Sequence, residues 1–264
     1  MKIIRLKGIQ IIFNDFFILL LLVYGLLGVL SQAVLMFSLV LAHEFAHILV
    51  ARKAGIKVKE VELYPFGGVA RLEGSLEYNP SLEVKVAAAG PASNFFLLCL
   101  SFLAHRYFQW DGYLYKLFQA INITMGLFNL LPALPLDGGR ILRAFWSYRL
   151  GTPEATYRAS LLGKYCAVIL TLLGIAGLFS GINDLNFLIV AIFLYYGASK
   201  QEEANLYAFL RYLLRKNQEF NQLGVLTVKR LAAVSDATIK AVLLKFSPGQ
   251  YHIITVLTRE GRIQ

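Results

Sequence analysis

Charged residues are scarce in this chain of 264 residues, and cysteine is nearly absent. Asp, Glu, Lys and Arg make up 16% of the sequence and hydrophobic residues 57%, whereas soluble domains carry about 25% charged residues. So little charge excludes a molecule whose whole surface faces water. The two cysteines, Cys99 and Cys166, both lie in apolar stretches, which argues against a disulfide framework.

The uncharged residues form long runs. Residues 16–42 contain no charged side chain, and a helix needs about 20 apolar residues to cross a bilayer. Such runs predict spans near residues 14–31, 33–51, 86–104, 114–131, 165–182 and 185–199. The sequence therefore predicts a polytopic α-helical membrane protein with six transmembrane helices.

The net charge of +10 is distributed unevenly along the chain. With six spans both termini lie on one side, and that side holds all of the 26 Lys and Arg residues except Arg106 and Lys116. Cytoplasmic loops carry such an excess of basic residues. We therefore predict a multi-pass cell-membrane protein with both termini in the cytoplasm. Its basic segments are expected to contact membrane lipid rather than nucleic acid.

Two segments have the pattern of strands. Residues 57–76 alternate apolar and polar residues around a Pro-Phe-Gly-Gly turn, which predicts a β-hairpin between the second and third spans. Composition changes after residue 199, so residues 1–199 are expected to form the membrane domain and residues 200–264 a linker helix with a small cytoplasmic α+β domain. The second part of that region reads as strand, helix (236–246) and strand (251–257).

The residues that carry chemistry are His43-Glu44-Phe45-Ala46-His47, a match to H-E-x-x-H within the second span. Positions i and i+4 of a helix share a face, so both imidazoles can reach one zinc ion, and Glu44 can act as the general base. The alternative is a chance match on an ordinary helix. Ionisable groups within a bilayer are costly and mark function by default, so we favour the metal site.

A catalytic zinc ion takes three protein ligands, and Asp137 is the acidic residue best placed to be the third. It follows Pro135 and Leu136 at the cytoplasmic end of the fourth span, at a depth that matches the two histidines. Asp-Gly is also common in turns, so Asp137 taken alone is equally well explained as a residue that ends a helix.

H-E-F-A-H in a span, followed far downstream by P-L-D-G-G, resembles the site-2 protease family of intramembrane zinc metalloproteases. The Tyr-Pro-Phe-Gly-Gly segment, Ala89-Gly90-Pro91 and Asn-x-x-P-x-x-P-L-D-G-G resemble its sporulation branch. This resemblance implies zinc on His43, His47 and Asp137, with Glu44 as general base. It further implies cleavage of the pro-segment of a sporulation pro-sigma factor, in the membrane around the forespore and facing the mother cell. Inhibitory membrane protein partners are also expected.

Four residues are candidates for binding the substrate. Asn129 can bond a substrate carbonyl or the developing oxyanion, and an interhelical hydrogen bond explains it equally well. Phe66 and Gly67 lie in a short apolar loop whose edge can pair with an unwound substrate strand, although a plain surface hairpin remains open. Pro135 belongs to the motif that carries Asp137. We interpret Asn94 as a residue that packs helices together.

The C-terminal strand–helix–strand resembles half of a CBS domain pair, a module that often binds adenosine nucleotides. The resemblance implies a regulatory domain and an ATP site there. A single unit is a partial match, and a small dimerisation or docking domain is the alternative, so a homo-oligomer is also expected.

Two other functional classes fit an intramembrane cluster of histidine and acid. One is a metal or ion transporter, which paired inverted repeats would favour. The other is a non-catalytic membrane scaffold, against which the presence of Glu44 argues. The predicted function is therefore an intramembrane zinc metalloprotease.

The predicted topology can be tested with reporter fusions. A reporter that is active only in the cytoplasm is expected to be active when fused after Phe220 and silent when fused near Asp111, because the basic residues retain their segments in the cytoplasm. The reverse pattern of reporter activity would overturn the orientation inferred from charge.

Overall fold

The computed structural model describes residues 2–6, 9–13, 15–56, 58–64, 67–72, 76, 79–180, 185–223, 227–239, 242, 246, 250–260 and 262–263. Within that part the strands are β1 (Lys2–Leu6), β2 (Ile9–Phe13), β3 (Val58–Tyr64), β4 (Gly67–Leu72), β5 (Thr227–Val234) and β6 (Gln250–Leu257). The helices are α1 (Asp15–Leu26), α2 (Leu30–Lys53), α3 (Pro80–Phe108), α4 (Tyr113–Asn129), α5 (Asp137–Leu150), α6 (Thr152–Phe179) and α7 (Asn186–Leu223).

Three helices of the described chain are long and apolar enough to cross a membrane, namely α2, α3 and α6. They contain the predicted second and third spans and most of the fifth. The helices at the first and fourth predicted spans are shorter, with 12 residues in α1 and 17 in α4. A mostly helical fold with candidate membrane spans is therefore confirmed, whereas the number six stays a prediction.

Helices occupy the segments after the fourth predicted span. The stretch between residue 140 and the fifth predicted span is occupied by α5 and the first turns of α6. Only Gly151 separates the two, at a positive φ of 86°. The sixth predicted span and the amphipathic segment after it form one continuous helix, α7, because no proline or glycine interrupts the sequence between residues 198 and 223. The predicted link at residues 183–184 lies outside the described residues.

A four-stranded sheet has the strand order β1-β2-β3-β4. The predicted hairpin is confirmed, because β3 and β4 are antiparallel and Tyr64 pairs with Gly67. The strands β1 and β2 were not expected. They form a second antiparallel pair, and β2 runs parallel to β3. Parallel neighbours need a long crossover, which here is the pair of helices α1 and α2.

The C-terminal segment contains the two expected strands. β5 and β6 are parallel and in register from Thr227 opposite Gln250 to Val234 opposite Leu257. Parallel pairing agrees with a strand–helix–strand crossover. The expected helix at residues 236–246 falls largely outside the described residues, so the resemblance to a CBS domain stays a prediction.

The chain divides into two compact units. Unit 1 comprises Met1–Gly74 and Lys85–Leu131, and unit 2 comprises Ser75–Val84 and Pro132–Gln264. In unit 1, Ala33 and Phe37 of α2 pack against Leu20, Leu21, Tyr24 and Met36. The opposite faces of the helices expose large apolar side chains, such as Leu26 at 90%. Exposed apolar surface of this kind suits a lipid environment better than water.

Unit 2 contains a buried ion pair. Arg143 of α5 donates from Nε to Glu83 Oε1 at 3.1 Å, and its Nη2 donates to the same oxygen. Glu83, in the first turn of α3, is fully buried, and Arg143 is 3% exposed. Among the described residues Glu83 Oε2 has no hydrogen-bond partner. Buried charges are tolerated only when they are paired, so this contact fixes the first turn of α3 to α5.

Replacing one member of this pair is expected to be strongly destabilising. Arg143→Met leaves Glu83 charged, buried and without its cation, which costs about 3–5 kcal/mol. Adding Glu83→Leu removes the stranded charge and is expected to restore much of the loss. Thermal unfolding in detergent micelles measures both effects. Arg158→Met is the matched control, because Arg158 is half-exposed and its bond to Glu154 is worth at most about 1 kcal/mol. Equal loss in Arg143→Met and Arg158→Met would contradict a structural role for the buried pair.

Candidate metal centre

The helix α2 places His43 and His47 one turn apart on its buried face. Their side chains belong to residues that are 4% and 8% exposed, and their ring centroids lie 4.8 Å apart with the rings nearly perpendicular. Their Nε2 atoms are 3.2 Å apart. The i, i+4 spacing of the motif therefore brings two imidazole nitrogens to one point, as predicted.

The other ring nitrogen of each histidine faces an oxygen of α3. His47 Nδ1 lies 2.6 Å from the backbone oxygen of Val86, and His43 Nδ1 lies 2.5 Å from Asn94 Oδ1. A carbonyl oxygen only accepts hydrogen bonds, so His47 donates from Nδ1–H. Donation from Nδ1 places the lone pair of a neutral imidazole on Nε2, and the same holds for His43 when Asn94 presents its oxygen.

This arrangement fits a zinc ion. Two nitrogens that bind one tetrahedral zinc ion, each at about 2.0–2.1 Å, lie roughly 3.3 Å apart, and the observed separation is 3.2 Å. Lone pairs that face each other at this distance repel, and a cation between them replaces the repulsion with two bonds. Metal-bound histidines almost always donate their other N–H to a carbonyl or carboxylate, and both histidines do so here.

Gly90 of α3 borders the space between the two histidines. A Cβ atom built at Gly90 would lie 2.5 Å from His43 Nε2 and closer still to His47 Nε2. Real Cβ atoms do not approach other atoms so closely, so only glycine fits at this position. The close approach of α3 to α2 at Gly90 keeps the space next to both Nε2 atoms open.

Glu44 follows His43 on α2 and is half-buried. It lies directly beside His43 in the sequence. This position suits a proton acceptor that is not itself a ligand.

Asp137 belongs to unit 2, where it is the first residue of α5. It is 6% exposed, and Arg140 donates to its Oδ1 at 3.4 Å. A carboxylate is favoured at the first turn of a helix by the unpaired backbone N–H groups there. Leu136 precedes α5 in an extended conformation, so Asp137 begins a helix, and the alternative that it ends one is wrong.

The turn before Asp137 is held by glycines on three helices of unit 2. Cβ atoms built at Gly139, Gly163 and Gly197 would collide with Ala133, Leu134 and Pro135 respectively. The backbone N–H of Leu134 also donates to Ala159 O of α6 at 3.3 Å. The absence of side chains on α5, α6 and α7 thus lets the turn pack directly against helix backbones. Pro135, which follows a cis peptide bond, is part of this packing.

The other predicted substrate residues lie in different places. Asn129 donates from Nδ2 to Met125 O at 3.0 Å within α4, whereas the sequence left an interhelical bond open. Gly67 is the first residue of β4, and Phe66 lies outside the described residues. None of the four predicted substrate contacts is tested by these positions.

Asn94 makes a contact at the candidate site that sequence reasoning missed. The expected interhelical bond is present, because Asn94 Nδ2 donates to Asn122 Oδ1 of α4 at 3.0 Å. Its other contact, to His43, was not predicted. The available signal was spacing: Val86, Gly90 and Asn94 follow each other at intervals of four residues, so they share one face of α3.

A membrane-length helix that directs two buried histidine nitrogens at one point defines a metal-binding membrane protein of the H-E-x-x-H class. The sequence profile of Peptidase family M50 matches residues 31–119 and 109–173. The chain therefore belongs to this family, which confirms the resemblance to site-2 proteases. Together with the three candidate spans, membership identifies it as a membrane protein.

Individual relatives agree with this assignment. A zinc metalloprotease from Methanocaldococcus jannaschii is 32% identical over 211 residues, which are 76% of this chain and 60% of the relative. Rip3 of Mycobacterium tuberculosis is 37% identical over 166 residues, 60% of this chain and 42% of the relative. Stage IV sporulation protein FB of Bacillus subtilis is 28% identical over 237 residues, 88% of this chain and 80% of the relative. The chain thus spans less than two thirds of the first two relatives.

A solved structure has the same fold. The site-2 protease from Methanocaldococcus jannaschii superposes with a TM-score of 0.60 at 32% identity, over 75% of this chain and 93% of that chain.

Substituting Gly90 tests the metal centre directly. Gly90→Ala is expected to abolish zinc binding, because its Cβ would occupy the space beside both Nε2 atoms. Elemental analysis of the purified protein measures the zinc content, and circular dichroism checks that the helices remain. Gly25→Ala is the matched control, since a Cβ there meets nothing within 4 Å. Full zinc content in Gly90→Ala would show that the metal binds elsewhere.

Proposed function

We propose that this protein is an intramembrane zinc metalloprotease in which His43, His47 and Asp137 hold the metal and Glu44 is the general base. The observation that carries the proposal is the paired Nε2 atoms, whose separation and hydrogen-bonded Nδ1 atoms fit two zinc ligands. Asp137 completes the ligand set by chemistry: it is buried and offers one carboxylate oxygen, and two histidines with one acid form a common catalytic zinc set.

The reaction proposed is hydrolysis of a peptide bond. Zinc held by these ligands would supply a Lewis acid able to polarise the scissile carbonyl and to lower the pKa of an attacking water. Glu44 accepts a proton from that water as the water oxygen bonds to the carbonyl carbon. The protonated carboxyl then delivers this proton to the amine nitrogen as the C–N bond breaks. Asn129 is proposed to donate from its amide to the substrate carbonyl oxygen.

The proposed substrate is a membrane-associated protein that presents an extended segment. β4 is an edge strand of the four-stranded sheet, since β3 is its single neighbour there. Edge strands have unpaired backbone groups that can bind an extended peptide. Phe66, Gly67 and Pro135 are proposed to contact the segment. A sporulation pro-sigma factor is the particular substrate proposed, and the support is similarity to stage IV sporulation protein FB over 88% of the chain.

The remaining features of the proposal concern topology and regulation. Six spans with both termini in the cytoplasm, in the membrane around the forespore, follow from the charge distribution and the sporulation resemblance. We propose residues 200–264 as a regulatory region, for which the parallel pair of β5 and β6 is the structural support. Inhibitory membrane partners, a homo-oligomer and ATP binding stay predictions of the resemblance.

Co-expression with a candidate pro-sigma factor tests this function. Glu44→Gln is expected to retain zinc and to lower cleavage by at least about 10²-fold, because the base is lost while the ligands remain. Asp137→Asn is expected to lower both zinc content and cleavage, since a neutral amide is a poor zinc ligand. Immunoblots measure the product, and elemental analysis measures the metal.

Asp111→Asn is the matched control for Asp137→Asn, because Asp111 is exposed in the loop between α3 and α4. Cleavage by Glu44→Gln at the parental rate would refute the role of the base. A parent protein that binds zinc but cleaves no candidate substrate would favour the carrier or scaffold functions instead.

A further inference from the structure

Two buried asparagines connect the metal ligand His43 to the backbone of α4. Asn94 Oδ1 lies 2.5 Å from His43 Nδ1, Asn94 Nδ2 donates to Asn122 Oδ1 at 3.0 Å, and Asn122 Nδ2 donates to Phe118 O at 2.8 Å. Both asparagines are fully buried. All of these groups belong to unit 1.

We propose that Asn94 and Asn122 are positioning residues that fix the tautomer and the ring orientation of His43, and thereby set the metal affinity of the site. This inference rests on the proposed metal site. It assigns to the two amides a role beyond packing α3 against α4.

The direction of these hydrogen bonds is set at the end of the series that is farthest from His43, namely at Phe118 O. The Phe118 carbonyl only accepts, so Asn122 must turn its NH₂ group towards it and its oxygen towards Asn94. Asn94 then donates its own NH₂ group to Asn122, which leaves its oxygen facing His43. Facing an acceptor, His43 carries its proton on Nδ1, and the lone pair required by a metal is on Nε2.

The apolar surroundings make the alternative arrangement costly. If Asn94 were flipped, its oxygen would face Asn122 Oδ1 and the bond to Asn122 would be lost. Its NH₂ group would face His43 Nδ1, which can accept only if the imidazole proton moves to Nε2, the nitrogen needed by the metal. Water does not compensate for lost bonds at fully buried atoms, and unsatisfied buried polar groups cost roughly 1–3 kcal/mol each. The amide of Asn94 therefore has one favoured orientation only while Asn122 holds it.

The two histidines differ in how they are held. His47 donates to Val86 O, a backbone atom that no side-chain substitution removes. The Nδ1 atom of His43 instead faces a side-chain oxygen, Asn94 Oδ1. Substitutions of the two asparagines are therefore expected to change the orientation of His43 and to leave that of His47 unchanged. The effect can then be assigned to His43.

The experiment uses the full-length protein in detergent, freed of metal by a chelator, with zinc as the probe. Asn94→Leu removes the acceptor and keeps the number and branching of the side-chain heavy atoms. Asn94→Asp keeps an oxygen for His43 and is the conservative rescue. Asn122→Leu removes the group that orients Asn94. Gln119→Leu is the control, because Gln119 lies one turn away on α4 and bonds Tyr115 instead.

Two readouts do not depend on protease activity. Zinc affinity is measured by competition with a chromophoric chelator. The tautomer of His43 is read from long-range ¹H–¹⁵N NMR spectra of histidine-labelled, metal-free protein, in a background where His105 and His252 are replaced by Gln. Loss of such supporting contacts typically weakens metal binding 10- to 100-fold.

The expected results are a 10- to 100-fold weaker zinc affinity in Asn94→Leu and an affinity near the parental value in Asn94→Asp and Gln119→Leu. The zinc affinity of Asn122→Leu is expected to lie between these values. Its spectra are expected to show a mixture of His43 tautomers, whereas those of the parent show a proton on Nδ1. Parental affinity and tautomer in Asn94→Leu would overturn the proposal. So would an equal loss in Asn94→Asp and Asn94→Leu, which indicates packing alone.

These outcomes are separate from failure of the proposed function. If the parent binds zinc but cleaves nothing, the affinity series still decides the role of the asparagines. If the parent does not bind zinc, the metal site is refuted, and an unchanged His43 tautomer in Asn122→Leu would refute the positioning role as well.

Discussion

The contact on which the site depends is the approach of two imidazole nitrogens to 3.2 Å within an apolar helix bundle. Both nitrogens carry lone pairs when the opposite ring nitrogens donate hydrogen bonds, so the contact is unfavourable until a cation lies between them. A helix supplies the i, i+4 spacing at no cost. The directions of the rings must come from neighbouring helices, and this requirement explains the composition of α3.

One face of α3 supplies everything that the histidine pair needs from it. Val86 contributes a backbone oxygen to His47, Asn94 contributes a side-chain oxygen to His43, and Gly90 between them contributes the absence of a side chain. The three positions are spaced by four residues, so each faces α2 one turn after the last. The first turn of the same helix carries Glu83, whose carboxylate is paired with Arg143.

Features that depend on one segment could be predicted from the sequence. The H-E-x-x-H spacing, the antiparallel pairing of β3 with β4, and the two C-terminal strands are of this kind. Contacts between segments could not be predicted: Asn94 was expected to join two helices, but nothing in a single sequence states that His43 lies beside it. The strands β1 and β2 are rich in isoleucine, a strand signal that the adjacent span obscured. The break after the fourth span was foreseen from its prolines, whereas two of the glycines that pack against it, Gly163 and Gly197, lie on the distant helices α6 and α7.

One histidine of the pair is oriented by a backbone atom, which no substitution removes, and the other by a side-chain atom, which a substitution can remove. A backbone carbonyl such as Val86 O persists under any substitution that preserves the helix, so it fixes His47 wherever the fold forms. A side-chain amide is different, because it can turn over. The orientation of the Asn94 amide depends on its hydrogen bond to Asn122, whose orientation depends in turn on its bond to Phe118 O. In an apolar interior each amide must form its hydrogen bonds, because no water is there to offset the desolvation cost of an unpaired amide. Changes in metal affinity that leave the ligands intact are therefore expected to arise on the His43 side of the pair, where polar side chains and not the backbone decide the direction of the imidazole.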